Sequence, residues 1–353
     1  MALFSGWIVD YFGTKRMLVT GVFLLGLFMF LHSFVYSYFI LLFIAFFTGL
    51  GHSIVTPAAN KIIVECIPIR SRTIAMGIAQ SGEGMGIILS SVILKIIAIQ
   101  YNWRSATICS GFFTLMIAFL LWQIYQKKKS VQKKRIIDLE QIYFHFKENI
   151  KNLLKNRYLL SISILGFAFG TASSSTITHL VLFLNHDLGF STSMSGISLG
   201  ILQVGGIVGR LFWGFVKDRI YKGYSSKNIL FWVGSVIAIF SVLFAYVVIK
   251  FTLSPLLIAG CIFLLGSSNL GWAGIIISSV TEIVDQECSG TAIGLVLFFV
   301  RFGLLFGPPI FGLIADYYGY YKYSWYFLGS FVFIIVIIFF LLAGKYENEH
   351  RQI

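Results

Sequence analysis

Two arginines lie within apolar stretches of the sequence, where a charge is costly. Arg210 stands in VGGIVGRLFWG, and Arg301 stands in LFFVRFGLLFG. Charged side chains inside a membrane span mostly face a cavity and serve function. A guanidinium group donates two parallel hydrogen bonds to a carboxylate, so both arginines have the chemistry to bind an anion. The alternatives are a structural role for Arg210 beside a gate and, for Arg301, pairing with a carboxylate or with helix-end carbonyls.

Three further residues are candidates for carrying a coupling proton. Glu83 stands in SGEG within an apolar segment, and a carboxyl group in a low-dielectric medium is protonated more readily than in water. It can instead pair with an arginine and stay ionised. His179 and His52 also lie within apolar segments, and imidazole titrates near neutral pH. A packing role is the alternative for each histidine.

The elements that carry these residues are predicted to be membrane-spanning helices. The 353-residue chain is 58% hydrophobic and 12% charged, against roughly a quarter charged in soluble domains. Its long apolar blocks match the ~20 residues needed to cross a bilayer. They predict an all-α polytopic membrane protein with a stub, Ala2–Val9, and ten complete spans: 17–35, 38–60, 73–97, 103–125, 158–184, 194–216, 228–250, 255–280, 290–315 and 324–343.

The placement of the basic residues predicts an orientation and argues against nucleic-acid binding. The net charge is +13, and ten Lys/Arg fall between Lys127 and Arg157. Further basic residues, including Lys61 and Lys217, are assigned to alternate loops between the spans. This asymmetry follows the positive-inside rule. We therefore expect a plasma-membrane protein in the lipid bilayer, with the central basic loop and the C-terminus on the cytoplasmic side.

The basic stretch also divides the chain. We expect an N-terminal half at 1–125, a cytoplasmic linker at 126–157 carrying an amphipathic helix, a six-helix half at 158–343 and a cytoplasmic tail at 344–353. FSGWIVDY at Phe4–Tyr11 resembles FWGFVKDR at Phe212–Arg219, with a constant offset of 208 residues. Two halves that share a motif in the same orientation indicate a parallel duplication.

The first copy resembles the loop between the second and third helices of the major facilitator superfamily, G-x-x-x-D-x-x-G-x-(R/K)-(R/K). The matching residues are Gly6, Asp10, Gly13, Lys15 and Arg16, and the degenerate second copy retains Gly214, Asp218 and Arg219. The resemblance implies a fold of two pseudo-repeated helical halves and a conformational gate at this motif. It also predicts that the chain lacks the first helix and most of the second, leaving about ten helices instead of twelve.

Three further stretches are similar to the monocarboxylate porter and oxalate:formate antiporter branch. They are Arg70–Gly86 with Tyr101–Ala106, Thr178–Ser191 and Gly294–Gly329. In that branch an arginine near the position of Arg210 binds the substrate carboxylate, and antiporters of oxalate type place a basic residue in the helix of Arg301. The porters also carry an aspartate one turn before that first arginine, where this chain has Gly206.

The resemblance implies a secondary active transporter of small organic anions that works by alternating access, with proton symport or anion exchange both open. An efflux permease for drugs or other hydrophobic compounds is the first alternative, and a non-transporting truncated remnant is the second. We expect no cofactor and no metal site. Since no nucleophile–base constellation is visible, we expect that the protein is not an enzyme.

Overall fold

The computed structural model describes residues 2–126, 148, 150–220, 226–251 and 253–350, and the regular secondary structure in this part of the chain is helical. The helices are α1 (Ala2–Phe12), α2 (Thr14–Leu31), α3 (Tyr38–Cys66), α4 (Arg72–Gln100), α5 (Trp103–Gln126), α6 (Arg157–His186), α7 (Thr192–Phe215), α8 (Ser226–Lys250), α9 (Pro255–Asn269), α10 (Ala273–Thr281), α11 (Ser289–Tyr318) and α12 (Tyr321–His350).

Ten helical stretches among the described residues are long and apolar enough to cross a bilayer. The predicted number of spans and the all-helical membrane fold are therefore confirmed. Some observed helices run several residues beyond the predicted bounds: α3 continues to Cys66, and α12 runs from Tyr321 to His350. The amphipathic helix predicted in the 126–157 linker lies largely outside the described residues.

The first compact unit comprises Met1–Cys66, Gly86–Leu153 and Val284–Leu295. Within it, α2 packs against α3 and α5. Small residues permit these close approaches, as expected for helices that associate in lipid. A Cβ atom added to Gly51 would lie 2.7 Å from the backbone nitrogen of Leu25, and one added to Gly111 would lie 2.5 Å from that of Phe30.

The second unit comprises Ile67–Met85, Leu154–Ile283 and Val296–Ile353. Here α7 packs closely on α9, and α12 packs on α6 and α8. Aromatic rings fill the contact between α6, α8, α11 and α12: the Trp325 ring meets those of Phe183, Phe244 and Phe311 edge-on, with centroids 5.3–5.9 Å apart. Edge-to-face pairs of this kind add to the energy of burial.

The span predicted as one helix over 255–280 is interrupted. The α-helix ends at Asn269 and resumes at Ala273. The fully buried Asn269 side chain donates to the Thr176 hydroxyl at 2.8 Å, and its backbone carbonyl accepts from Ser173 and from the Trp272 indole. Side-chain donors thus satisfy backbone groups freed by the break, which is the condition for irregular backbone at membrane depth.

Two lysines assigned to loops are instead buried at helix ends. Lys61 lies within α3, and Lys217 lies in a π-helical turn, Val216–Ile220, that extends α7. Both are at most 7% exposed and both are paired with carboxylates. Hydropathy assigns a lysine to the aqueous loop because it takes no account of the carboxylate that compensates the charge.

Candidate functional site

Arg210 is the buried cation of α7. It is 7% exposed, and its Nε and Nη1 atoms have no hydrogen-bond partner among the described residues. Glycines of α4 make room for it: a Cβ atom on Gly77 would lie 2.7 Å from the Arg210 carbonyl oxygen, and one on Gly84 would lie 3.1 Å from Nη1. Since buried polar groups are nearly always satisfied, a guanidinium in this state is suited to receive an external acceptor.

Glu83 interacts electrostatically with both candidate arginines, Arg210 and Arg301. Its carboxylate interacts with Arg210 of α7 and with Arg301 of α11, and both arginines are largely withdrawn from solvent. All three residues belong to the second compact unit. The three residues come from three helices and form one electrostatic cluster, in which the carboxylate is exposed and both arginines are largely buried. The structure thus brings together Glu83, Arg210 and Arg301, which are 218 residues apart at the extremes of the sequence.

The face of α4 beside Glu83 is open. A Cβ atom added to Gly82 or to Gly86 would have no atom within 4 Å, and the Glu83 side chain itself is exposed. The cluster therefore has a buried side, formed by Arg210 against Gly84, and an open side next to the carboxylate.

The absence of an aspartate at position 206 has a steric reason. A Cβ atom on Gly206 would lie 2.8 Å from Cβ of Leu270, the first residue of the break between α9 and α10. The carboxylate that the resembled porters carry one turn before their arginine has no room here. Glu83 on the neighbouring α4 is the acidic residue that interacts with Arg210 instead.

His179 is placed apart in the second unit, at the contact of α6 with α11. Its Nε2 atom lies 2.9 Å from the Pro308 carbonyl oxygen, and since a carbonyl only accepts, Nε2 carries a proton. The ring stacks on Phe311 with a centroid distance of 4.9 Å. This environment is that of a packed histidine. His52, the other histidine candidate, is exposed on α3 and belongs to the first unit.

The motif aspartate Asp10 caps the start of α11. It forms an ion pair with Lys61 and accepts hydrogen bonds from the backbone nitrogens of Gly290 at 3.0 Å and Thr291 at 2.6 Å. The Thr291 hydroxyl donates a further bond at 2.6 Å. A carboxylate at a helix N-terminus satisfies orphan N–H groups and opposes the positive end of the helix dipole.

The other residues of the first motif copy lie at the contact of α1 with α11 and at the start of α2. Gly6 lies against Gly290, and a side chain there would meet the α11 backbone. Gly13 has φ of 91°, a conformation that glycine adopts readily, and it begins α2. The Lys15 ammonium lies 5.7 Å from the centre of the Tyr125 ring, and Arg16 is exposed.

The second copy repeats this arrangement within the second unit. Gly214 lies against α4, with a hypothetical Cβ 3.1 Å from Cα of Ile74, and Asp218 accepts a bond of 2.9 Å from the Ile74 backbone nitrogen near the start of α4. The preceding Lys217 binds Glu282 at 3.0 Å and Ser278 at 2.7 Å, while Arg219 is exposed. Each motif copy therefore places a glycine at a helix contact and an aspartate at a helix N-terminus.

Sequence reasoning missed the partners of both aspartates. Thr291 is 281 residues from Asp10, and no local pattern connects them. The sequence does show Lys61, Lys217 and Glu282 as charged residues at the edges of apolar blocks. Those positions were interpreted as the boundaries of loops.

The chain belongs to the Major Facilitator Superfamily, whose family model matches residues 1–301. It is therefore a multi-pass membrane transporter and not an enzyme. The fold of the fucose:proton symporter FucP of Escherichia coli superposes on it with a TM-score of 0.73 and 15% identity, over 97% of this chain and 87% of that one. This likeness confirms the major facilitator fold.

Its curated relatives are transporters. The hexuronate transporter of Bacillus subtilis is 25% identical over 321 residues, which are 87% of this chain and 74% of that protein. The probable galactarate/D-glucarate transporter GudP of the same organism is 24% identical, over 98% of this chain and 80% of its own length. The match to the probable sulfoacetate transporter SauU of Cupriavidus necator is 25% identical over 63% of this chain, and spans about half of that protein, 54%.

Proposed function

We propose that the protein is a secondary active transporter of small organic anions. The observation that carries this proposal is the buried Arg210 guanidinium, which has donors without a partner among the described residues. Glu83 interacts electrostatically with it and with Arg301. A carboxylate or sulfonate accepts bidentate hydrogen bonds from such a group. Two guanidinium groups near one open face suit an anion with oxygen atoms on more than one side.

The relatives support an anionic substrate class. Their names specify sulfoacetate, hexuronate and galactarate or D-glucarate, each of which carries at least one acidic group. We assign this chain to monocarboxylate-like anions, as its resemblance to the monocarboxylate porter and oxalate:formate antiporter branch predicts. The steric exclusion of an aspartate at position 206 is a difference from the porters and favours a coupling residue elsewhere.

Transport would proceed by alternating access, with the two aspartate caps as a conformational gate. Asp10 holds the N-terminus of α11 and Asp218 holds that of α4. Such caps stabilise one arrangement of the helices through charge–dipole contacts. Release of α11 and α4 from the aspartates would accompany the change of access. We place both caps, the central basic segment 126–157 and the C-terminus on the cytoplasmic side of the plasma membrane, as the positive-inside rule predicts.

The transported anion would be accompanied by a proton or exchanged for a second anion. Glu83, His179 and His52 are the candidates for the proton. Of the three, Glu83 is the candidate whose carboxylate interacts electrostatically with both arginines in the described part of the chain, which favours it as the coupling residue. The packed environment of His179 favours a structural role for that side chain.

Flux in reconstituted proteoliposomes tests the proposal. Radiolabelled glucuronate, sulfoacetate, galactarate and lactate would be compared with neutral glucose and with a hydrophobic cationic dye. We expect uptake of at least one anion and none of glucose or dye. Movement of the dye without any anion would instead support the efflux permease, and the absence of all flux by a folded protein would support the non-transporting remnant.

A further inference from the structure

We infer that Gln203 is a specificity-determining residue, whose amide donates a hydrogen bond to a hydroxyl oxygen of the anion that Arg210 binds. This inference rests on the proposed function, because it adds a second contact to the same site. It also narrows the substrate class. The substrate would be a hydroxy acid, with an acidic group at one end and a neutral oxygen acceptor several bonds away.

Gln203 is a buried amide of α7 with an unused donor. Its side chain belongs to a residue that is 2% exposed, and its Nε2 atom has no hydrogen-bond partner among the described residues. Polar side chains in membrane spans often hydrogen-bond across helices and hold them together. The Nε2 atom makes no such bond in the described part of the chain, so this structural role does not account for it.

Gln203 and Arg210 lie on the same face of α7. Seven residues separate them in the sequence, which is close to two turns of an α-helix. The residues between them read VGGIVG and offer no polar side chain. The two buried side chains with unused donors on α7, Gln203 and Arg210, therefore form one polar stripe in the second compact unit.

The Arg210 side chain extends along α7 towards Gln203. A Cβ atom added to Gly84 would lie 3.1 Å from Nη1 of Arg210 and also 3.1 Å from Cγ1 of Ile207. The Nη1 atom thus lies beside Ile207, in keeping with the lean of helical side chains towards the helix N-terminus. Ile207 is about 6 Å from Gln203 along the helix axis, at about 1.5 Å per residue. One small molecule can therefore reach both donors.

There is open space next to the Gln203 amide. A Cβ atom added to Gly200 would meet no atom within 4 Å. Gly200 lies three residues before Gln203, so the two positions are neighbours on the helix surface. A helical side chain covers the turn N-terminal to its own Cα, which places the Gln203 side chain towards this opening. A ligand oxygen can occupy the space that a side chain at position 200 would fill.

The two donors together select a hydroxy acid. The guanidinium group binds a carboxylate through parallel hydrogen bonds, whereas the amide N–H binds a single neutral oxygen. A short anion such as glycolate would engage Arg210 and leave the Gln203 amide unpaired. Gluconate carries hydroxyl groups along its carbon chain and can satisfy both. A site built to hydrogen-bond a substrate hydroxyl rejects analogues that lack it, because its buried polar group is then left unpaired.

Gln203→Leu tests the inference, with gluconate and glycolate as the two probes. In nanodiscs, wild type should bind gluconate more tightly than glycolate. The variant should bind gluconate about tenfold more weakly, the worth of roughly one hydrogen bond, and glycolate as wild type does. Without ligand the variant should unfold at a higher temperature, because leucine replaces a buried amide that has an unsatisfied donor. Gln123→Leu is the matched control, since Gln123 is exposed on α5. It should leave both affinities unchanged.

The outcomes separate this inference from the proposed function. If wild type moves anions into proteoliposomes but binds gluconate no more tightly than glycolate, the role of Gln203 is overturned and anion transport remains. Unchanged gluconate binding by Gln203→Leu, or equal weakening for both probes, would also overturn it. So would a lower unfolding temperature of the variant, which would show that the amide serves the fold. Failure of wild type to move any anion would instead overturn the proposed function.

Discussion

Asp10 accepts two hydrogen bonds from Thr291, one from its backbone nitrogen and one from its hydroxyl, each 2.6 Å long. The two residues are separated by 281 positions, yet together they fasten α1 to the first turn of α11. The Lys61 ammonium pairs with the same carboxylate. Asp10 therefore makes an ion pair and helix-capping hydrogen bonds with one carboxylate, and substitutions can test the two interactions separately.

Asp10→Asn should lower the free energy of unfolding by about 3–5 kcal/mol, since it leaves the buried Lys61 ammonium uncompensated and removes the charge that faces the helix dipole. Thermal unfolding in detergent measures the change. Glu287→Gln removes an exposed carboxylate just before α11 and should shift the midpoint far less. Equal shifts for the two variants would contradict the capping role.

Lys61→Met should lower the free energy of unfolding more as a single substitution than when it is combined with Asp10→Asn. Removing one partner of a buried ion pair costs about 3–5 kcal/mol because it leaves an uncompensated charge. The double variant buries neither charge, so its loss should be smaller than the sum of the single losses. A double-mutant cycle from chemical denaturation measures the coupling. Additive losses would mean that the pair is not formed in the membrane protein.

Alanine substitutions at three glycines should differ in stability according to the space around the added Cβ atom. At Gly6 a Cβ would strike the α11 backbone, at Gly214 it would lie 3.1 Å from Ile74 Cα, and at Gly82 it would meet nothing within 4 Å. Overpacking costs about 1–3 kcal/mol, whereas alanine in an open helix gains about 1 kcal/mol in propensity. We expect Gly6→Ala to be the least stable and Gly82→Ala the most stable by thermal unfolding. The reverse order would refute the close approach of α1 to α11.

His179→Phe should retain the stack on Phe311 and lose the bond to the Pro308 carbonyl. We expect a loss of about 0.5–1.5 kcal/mol in stability, the usual net value of one hydrogen bond, and an unchanged pH profile of anion uptake. Uptake measured between pH 5 and 8 provides the check. A flattened profile in a stable variant would make His179 the coupling residue in place of Glu83.

The fold was predictable because ten apolar blocks alternate with charged segments, and this pattern depends only on burial in lipid. The cluster was partly predictable, since Glu83, Arg210 and Arg301 are recognisable one at a time as charges within spans. That Glu83 interacts electrostatically with both arginines depends on the packing of α4, α7 and α11, which hydropathy does not specify.

Other features required the three-dimensional structure. The break after Asn269 is compensated by side chains from α6 and α8, so nothing in its own segment marks it clearly. Lys61 and Lys217 were assigned to loops because their carboxylate partners, Asp10 and Glu282, lie 51 and 65 residues away in the sequence.

The most direct test of the account is equilibrium binding of the transported anion to Arg210 variants in detergent or nanodiscs. Loss of a buried charge-assisted bidentate contact costs about 3 kcal/mol or more, so Arg210→Ala should weaken binding at least 100-fold, and Arg210→Lys should be intermediate because it keeps the charge without the fork. Lys95→Gln removes an exposed charge from α4 and should bind as wild type does. A folded Arg210→Ala protein with wild-type affinity would contradict the account.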